Sequence, residues 1–93
     1  MHNITLYEGE RIDDLQLADL HIIQSEHFFR FSMDSVLLAD FATLQNRMNV
    51  CDLGTGTGII PLLLYGRNKS IHCDALEILP DAAERAARSV LLN

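Results

Sequence analysis

Three of the five glycines in this 93-residue chain, Gly54, Gly56 and Gly58, stand at alternate positions within five residues. Glycines so spaced let a chain turn sharply and let backbone N–H groups approach a ligand with no side chain between. The full run, Asp52-Leu53-Gly54-Thr55-Gly56-Thr57-Gly58, lies between two apolar stretches, the strand-to-helix context of a nucleotide-type site. Its spacing narrows the ligand. A G-x-G-x-x-G dinucleotide loop needs glycine at position 59, where this chain has Ile59, and no Gly-Lys-Ser or Gly-Lys-Thr follows as a phosphate loop requires. A carboxylate that accepts both ribose hydroxyls is expected about 20 residues beyond the glycines at the end of the next strand, and Glu77 stands there. Asp74 competes for that duty if the strand ends early. Asp52 and Glu77, at the ends of adjacent parallel strands, would share one crevice and suit an unphosphorylated nucleoside carrying positive charge.

The elements that must position these groups follow from periodicity. Met48 to Leu53, too short and apolar for a helix, predicts a buried strand. Ile59 to Tyr65 predicts a helix, with Pro61 in its first turn and Gly66 as its stop. Arg67 to Ser70 is a loop, and Ile71 to Ile78 a second strand. Pro80 then opens a helix in which Asp81 pairs with Arg85 and Glu84 with Arg88 at i,i+4. Strand, helix, strand, helix over 48–93 implies a right-handed βαβ unit in a parallel sheet. Upstream, Ile12 to Ile23 alternates enough for short strands or a hairpin, with Asp13-Asp14 and Asp19 at turns. Ser32 or Asp34 caps a helix carrying Val36, Leu37, Leu38, Phe41 and Leu44, closed by Asn46 to Asn49. Residues 1–11 read as a weakly specified terminal segment anchored only by Ile4, Leu6 and Tyr7. The division is thus 1–47, N-terminal strands and a capping helix, and 48–93, the first half of a cofactor-binding domain.

Composition trims the classes. A hydrophobic content of 48% fits one globular domain or part of one, and a formal charge of −6 disfavours a nucleic-acid surface within these residues. Glu8, Glu10, Asp13, Asp14 and Asp19 rule out a secretory leader, and no run reaches the roughly 20 apolar residues of a membrane helix. Cys51 and Cys73 read as small buried residues on neighbouring strands, too few for a disulfide scaffold. His2, His21, His27 and His72 stand at no ligand spacing with them, so no metal is expected. A cytoplasmic setting is expected. Phe28, Phe29 and Phe31 read as core packing in preference to a base-stacking platform, since Arg30 alone is basic nearby. Ala82, Ala83, Ala86 and Ala87 read as a packing stripe.

The loop and its distant acid resemble the first motifs of the class I S-adenosylmethionine-dependent methyltransferases. Gln24 to Phe41, with Phe31-Ser32-x-Asp34-Ser35-x-Leu37-Leu38-Ala39, together with Asp52 to Gly58 and Glu77-Ile78, resembles the bacterial tRNA (adenine-N6) methyltransferases acting on valine tRNA. The resemblance implies an α/β, partial Rossmann-like class I fold with an incomplete sheet and S-adenosyl-L-methionine as cofactor. By it, Asp52, Gly54, Gly56 and Gly58 frame the methionine end, Thr55 also belongs to the cofactor site, Glu77 binds the ribose, and Phe31 to Asp34 lies over the methionine moiety. For Asp34, helix capping is an equal alternative. The family's Asn-Pro-Pro-Tyr-like run, which holds the target amine, has no counterpart here, so the chain reads as an N-terminal fragment with no catalytic residue of its own. tRNA would be met through regions outside it.

Two other functions compete: a non-catalytic nucleoside-binding or interaction module, and a methyltransferase acting on protein glutamine or a small molecule. Two parallel strands are rarely stable alone, so a homodimer through the exposed sheet edge, or marginal folding of the isolated chain, is expected.

Overall fold

The computed structural model describes residues 4–28 and 30–93, so the readings made for His2 and Phe29 lie outside the described residues. These described residues form a small α/β assembly of two two-stranded sheets and three helices. A hairpin comes first: β1 (Glu10–Asp14) pairs antiparallel with β2 (His21–Ser25), placing Ile12 opposite Ile23. Gln16, Ala18 and Asp19 take left-handed backbone in the connecting turn. Asp14 supports that turn by accepting the Gln16 N–H at 2.7 Å, the local bond that favours Asp there. Asp13, expected at the turn, lies inside β1 opposite Ile22, its carboxylate held by Arg11 and Gln24.

The second helix organises the core. α1 (Met33–Phe41) packs on α2 (Ile59–Arg67), whose Ile59, Leu62, Leu63 and Leu64 are buried with Ile22, Ala39 and Ile71. Ser32 occupies the N-cap of α1, but its hydroxyl makes no cap bond, and the helix ends at Phe41 rather than running to Leu44. Arg67 explains that stop: its guanidinium donates to the carbonyls of Ala39 and Ala42 at 2.5 and 2.8 Å, satisfying acceptors a helix end leaves open. Gly66, expected to terminate α2, lies within it. A Cβ there would stand 2.8 Å from Leu17 Cδ2 and 3.0 Å from Leu20 Cδ1, so its small size seats the hairpin turn against the helix.

β3 (Asn49–Leu53) and β4 (His72–Leu76) pair in parallel across α2, with Val50 opposite Cys73 and Leu53 opposite Leu76. β3 was expected to be buried throughout, yet its exposure alternates, and Cys51 is exposed while Cys73 is partly covered. Apolar composition alone cannot say how many faces are covered; among the described residues one is. β4 is shorter than expected because Ile71 enters the core before it and the Leu76 carbonyl accepts the N–H groups of Gly54 and Thr55, which closes the ladder.

α3 (Pro80–Leu92) packs on β2, where Ser89, fully buried, accepts the Ile23 N–H at 2.9 Å through Oγ. Ala82 and Ala86 are buried as expected of the alanine stripe, whereas Ala87 is exposed. Of the two expected ion pairs, Arg88 Nε to Glu84 forms at 2.6 Å. Arg85 turns instead to Glu10, donating to Oε2 at 3.0 Å, and Arg88 adds bonds of 2.6 Å to both Glu10 oxygens. The Glu10 side chain is 2% exposed and those of Arg85 and Arg88 are 8% and 10% exposed. Thr5 and Tyr7, before β1, are therefore tied to α3, because Arg88 also donates to the Thr5 carbonyl and stacks 4.1 Å from the Tyr7 ring centroid. For the described part of 1–11 this replaces the expectation of a weakly specified segment, and residues 1–3 lie outside the described residues.

Arg88 above all, with the Tyr7 N–H and Arg85, holds the Glu10 carboxyl down from 4.5 to about 2. A depressed folded value stabilises fully above about pH 4.5, and that contribution is lost as pH falls toward 2. Glu10→Gln should lower stability by about 3 kcal/mol at neutral pH, since two buried guanidinium groups lose their counter-charge. Urea unfolding from pH 7 down to 2 should show the difference between parent and variant shrinking across the acid range.

Candidate functional site

The glycine loop spans the end of β3 and the start of α2, and its first residues are fastened to the end of β4. Gly54 and Thr55 donate to the Leu76 carbonyl at 2.8 and 2.9 Å, and Gly58 donates to the Thr55 carbonyl at 3.0 Å. Gly54, Gly56 and Gly58 have φ of 74°, 59° and 83°, a region where a Cβ is strained. Their surroundings differ. A Cβ on Gly54 or Gly56 would meet nothing within 4 Å, whereas one on Gly58 would stand 3.3 Å from the Ala86 Cβ. The first two glycines thus leave open space above backbone, and the third lets α3 close on the loop.

Glu77 follows β4 directly, and its carboxylate meets the loop: Oε1 accepts the Gly56 N–H at 2.8 Å and Oε2 accepts the Leu79 N–H at 3.1 Å. These two bonds, Leu79 first and Gly56 next, hold its carboxyl below the usual range, so Glu77 is ionised at neutral pH. A carboxylate offers about four acceptor sites. Two are used here, and an outer pair remains for hydroxyl donors.

Three side-chain oxygens around the loop are buried with no hydrogen-bond partner among the described residues: Asp52 Oδ2, Thr55 Oγ1 and Thr57 Oγ1. Buried polar atoms are nearly always paired, and an orphaned carboxylate oxygen is costly. All three belong to the run from the end of β3 into the glycine loop. Asp52 shares a sheet face with Cys73, whose thiol is pushed up first by burial and then by the charges of Asp52 and Asp74. His72 takes up Asp74, 3.2 Å from its Nε2, in an exposed pair away from the loop.

Thr55, Gly58 and Glu77 line one hollow and Gly56 and Glu77 line a second beside it, while Asp52 and Gly54 adjoin them along the loop without lining either. Phe31 and Asp34 are not joined to the loop by any hydrogen bond among the described residues. Phe31 packs at the rim of the core and its N–H donates to Gln24 Oε1 at 3.2 Å, while Asp34 is exposed in the first turn of α1. Phe28 departs from the core packing expected of it: it is 40% exposed and lies over the Arg85 guanidinium, 4.5 Å from the ring centroid. Arg85 and Phe28 line a hollow of about 240 Å³ together with Gly56 and Glu77. Sequence reading takes Phe28 for core packing and Arg85 for the partner of Asp81, and joins neither to the loop. The available signal was two arginines three apart on the alanine face of α3. Among the described residues, no three His, Cys, Asp or Glu side chains gather as a metal site, and no helix is long and apolar enough to cross a membrane.

No family model matches the chain. Several curated relatives do, each named tRNA1(Val) (adenine(37)-N6)-methyltransferase. That of Aliivibrio salmonicida is 41% identical over 58 residues, 62% of this chain and 25% of the relative. Those of Pedobacter heparinus and Flavobacterium johnsoniae are 40% and 36% identical over 76 and 75 residues, 82% and 80% of this chain and 32% of each relative. The chain thus spans about a quarter to a third of the length of the curated relatives it matches.

Gly56→Ala and Gly58→Ala both place a Cβ in left-handed backbone, at a cost of about 1 to 2 kcal/mol each. Gly58→Ala also presses on Ala86, so thermal denaturation should rank it as the less stable of the two; equal stability would show that α3 does not close on the loop.

Proposed function

We propose that this chain, similar over most of its length to bacterial tRNA1(Val) (adenine(37)-N6)-methyltransferases, supplies the cofactor-binding part of an S-adenosylmethionine-dependent methyltransferase that modifies the exocyclic amine of an adenine in tRNA. The observation that carries the reading is the bond from the Gly56 N–H to Glu77, which sets a carboxylate directly against the glycine loop, where it would serve as the ribose acid. The residues fit such a group. Glu77 keeps two acceptor sites for the 2′ and 3′ hydroxyls, and Gly54 and Gly56 leave space for close approach. Asp52, Thr55 and Thr57 offer unpaired oxygens to a cationic, donor-bearing ligand. Phe31 and Asp34, on the segment entering α1, would cover the methionine end.

When bound, the cofactor supplies a methyl group already activated on its sulfonium, so the protein needs alignment more than acid-base chemistry. The part played by these residues is to orient the nucleoside by its ribose at Glu77, to exclude bulk from the loop at Gly54 and Gly56, and to keep negative charge near the sulfonium at Asp52. No residue here is assigned to the target amine. On this reading the sheet belongs to a Rossmann-like methyltransferase domain, with 48–93 as its first half and 1–47 as the strands and helix packed against it. The tRNA, met in the cytoplasm, would be held by basic regions outside these residues, since the charge here is −6.

Calorimetric titration of the full-length protein with S-adenosylmethionine tests the assignment. Gly56→Asp, which fills the cradle and repels Glu77, should abolish binding. Glu77→Gln should raise Kd roughly 10- to 100-fold, the worth of hydrogen bonds to a charged acceptor. Unchanged affinity in both variants would place the cofactor elsewhere.

A further inference from the structure

The hollow beside Gly56 and Glu77 has a second wall built from distant parts of the chain. Phe28 comes from the segment just after β2 and Arg85 from the middle of α3, and both line the hollow with Thr57. A ring that is 40% exposed has little packing to fix its rotamer. The Arg85 guanidinium, 4.5 Å from the ring centroid, supplies what packing does not, because a cation withdrawn from water is held firmly by an aromatic face. Arg85 is itself fixed by its bond to Glu10 Oε2, and its side chain is 8% exposed. Glu10 and Glu84 together balance Arg85 and Arg88, so the wall presents an aromatic face with no net charge behind it.

We propose that Glu10 and Arg85 are positioning residues for the candidate site, Glu10 aiming the Arg85 guanidinium and Arg85 holding the Phe28 ring as a fixed wall against a nucleoside bound at Gly56 and Glu77. This rests on reading the glycine loop and Glu77 as the cofactor site. A wall fixed before the ligand arrives spares the ordering that binding would otherwise have to impose. It also makes the N-terminal hairpin part of the site, since Glu10 opens β1.

Titration of the full-length protein with S-adenosylmethionine, alongside melting curves, separates this role from simple support of the fold. Arg85→Lys keeps a charge for Glu10 but loses the flat face; Phe28→Leu keeps apolar bulk but loses the ring; Phe28→Tyr keeps the ring. Kd should rise about tenfold in Arg85→Lys and Phe28→Leu and stay within about twofold of the parent in Phe28→Tyr, the size expected of one cation–π contact. Glu84→Gln, which loosens Arg88 alone, should leave Kd unchanged. Phe28→Leu sits at a half-exposed position and keeps the test open should Arg85→Lys fail to fold. Unchanged Kd in Phe28→Leu and Arg85→Lys, with binding still abolished by Gly56→Asp, overturns the positioning role and spares the site. Binding that survives Gly56→Asp overturns the site beneath it.

Discussion

A carboxylate that is 2% exposed has to find its counter-charges inside the protein, and the arrangement of this chain turns on how Glu10 does so. Desolvating an ion is costly unless excellent geometry repays it, and Glu10 obtains that geometry from two guanidinium groups and the Tyr7 N–H. Both arginines stand on α3, some 75 residues away along the chain. The start of β1 is thereby bound to the last helix, and β2, its partner strand, lies under the same helix through Ser89. Once α3 is so placed, Ala86 reaches Gly58 and the helix closes on the glycine loop.

The same chain of contacts packs the N-terminal hairpin against the strand-helix-strand unit. Ile22 of β2 lies in one core with Leu62, Leu63 and Leu64 of α2, and Gly66 of α2 admits Leu17 and Leu20 of the hairpin turn. Arg67 ties the end of α1 to the end of α2. The sheet of β3 and β4 is held less evenly. Leu53 and Leu76, side by side in the register, are 76% and 55% exposed, and Ile78 is 91% exposed. Parallel strands ordinarily have both faces covered, so an open apolar face is compatible with part of a methyltransferase sheet.

What could be read from residues alone was governed by locality. The glycine loop, Glu77, the parallel pair and Pro80 at the start of α3 all follow from neighbours in sequence and from known spacings, and each lies where expected. Gly66 was misjudged because a glycine near a helix end is usually a stop, and only the hairpin turn reveals it as a packing site. Arg85 was assigned to Asp81 by the i,i+4 rule, a contact worth a few tenths of a kcal/mol, about 0.3 to 0.5. A buried partner at Glu10 outweighs it, and no local pattern announces a partner that far away. Phe28 was misread for the same reason.

Glu10 and Glu77 show how one side-chain type is turned to opposite uses. Each is ionised at neutral pH with its carboxyl held below the ordinary range, yet the donors differ. Guanidinium forks cover both Glu10 oxygens, cancel the charge and leave nothing for a ligand. Glu77 is held by single backbone N–H groups from Gly56 and Leu79, which fix its direction while leaving its charge and half of its acceptor sites available. An arginine partner at Glu77 would stabilise the carboxylate as well and occupy the acceptor positions that the backbone donors leave open. Backbone donors at one acid and buried arginines at the other are thus the division that lets a chain of net charge −6 keep one carboxylate rigid but still open to a ligand.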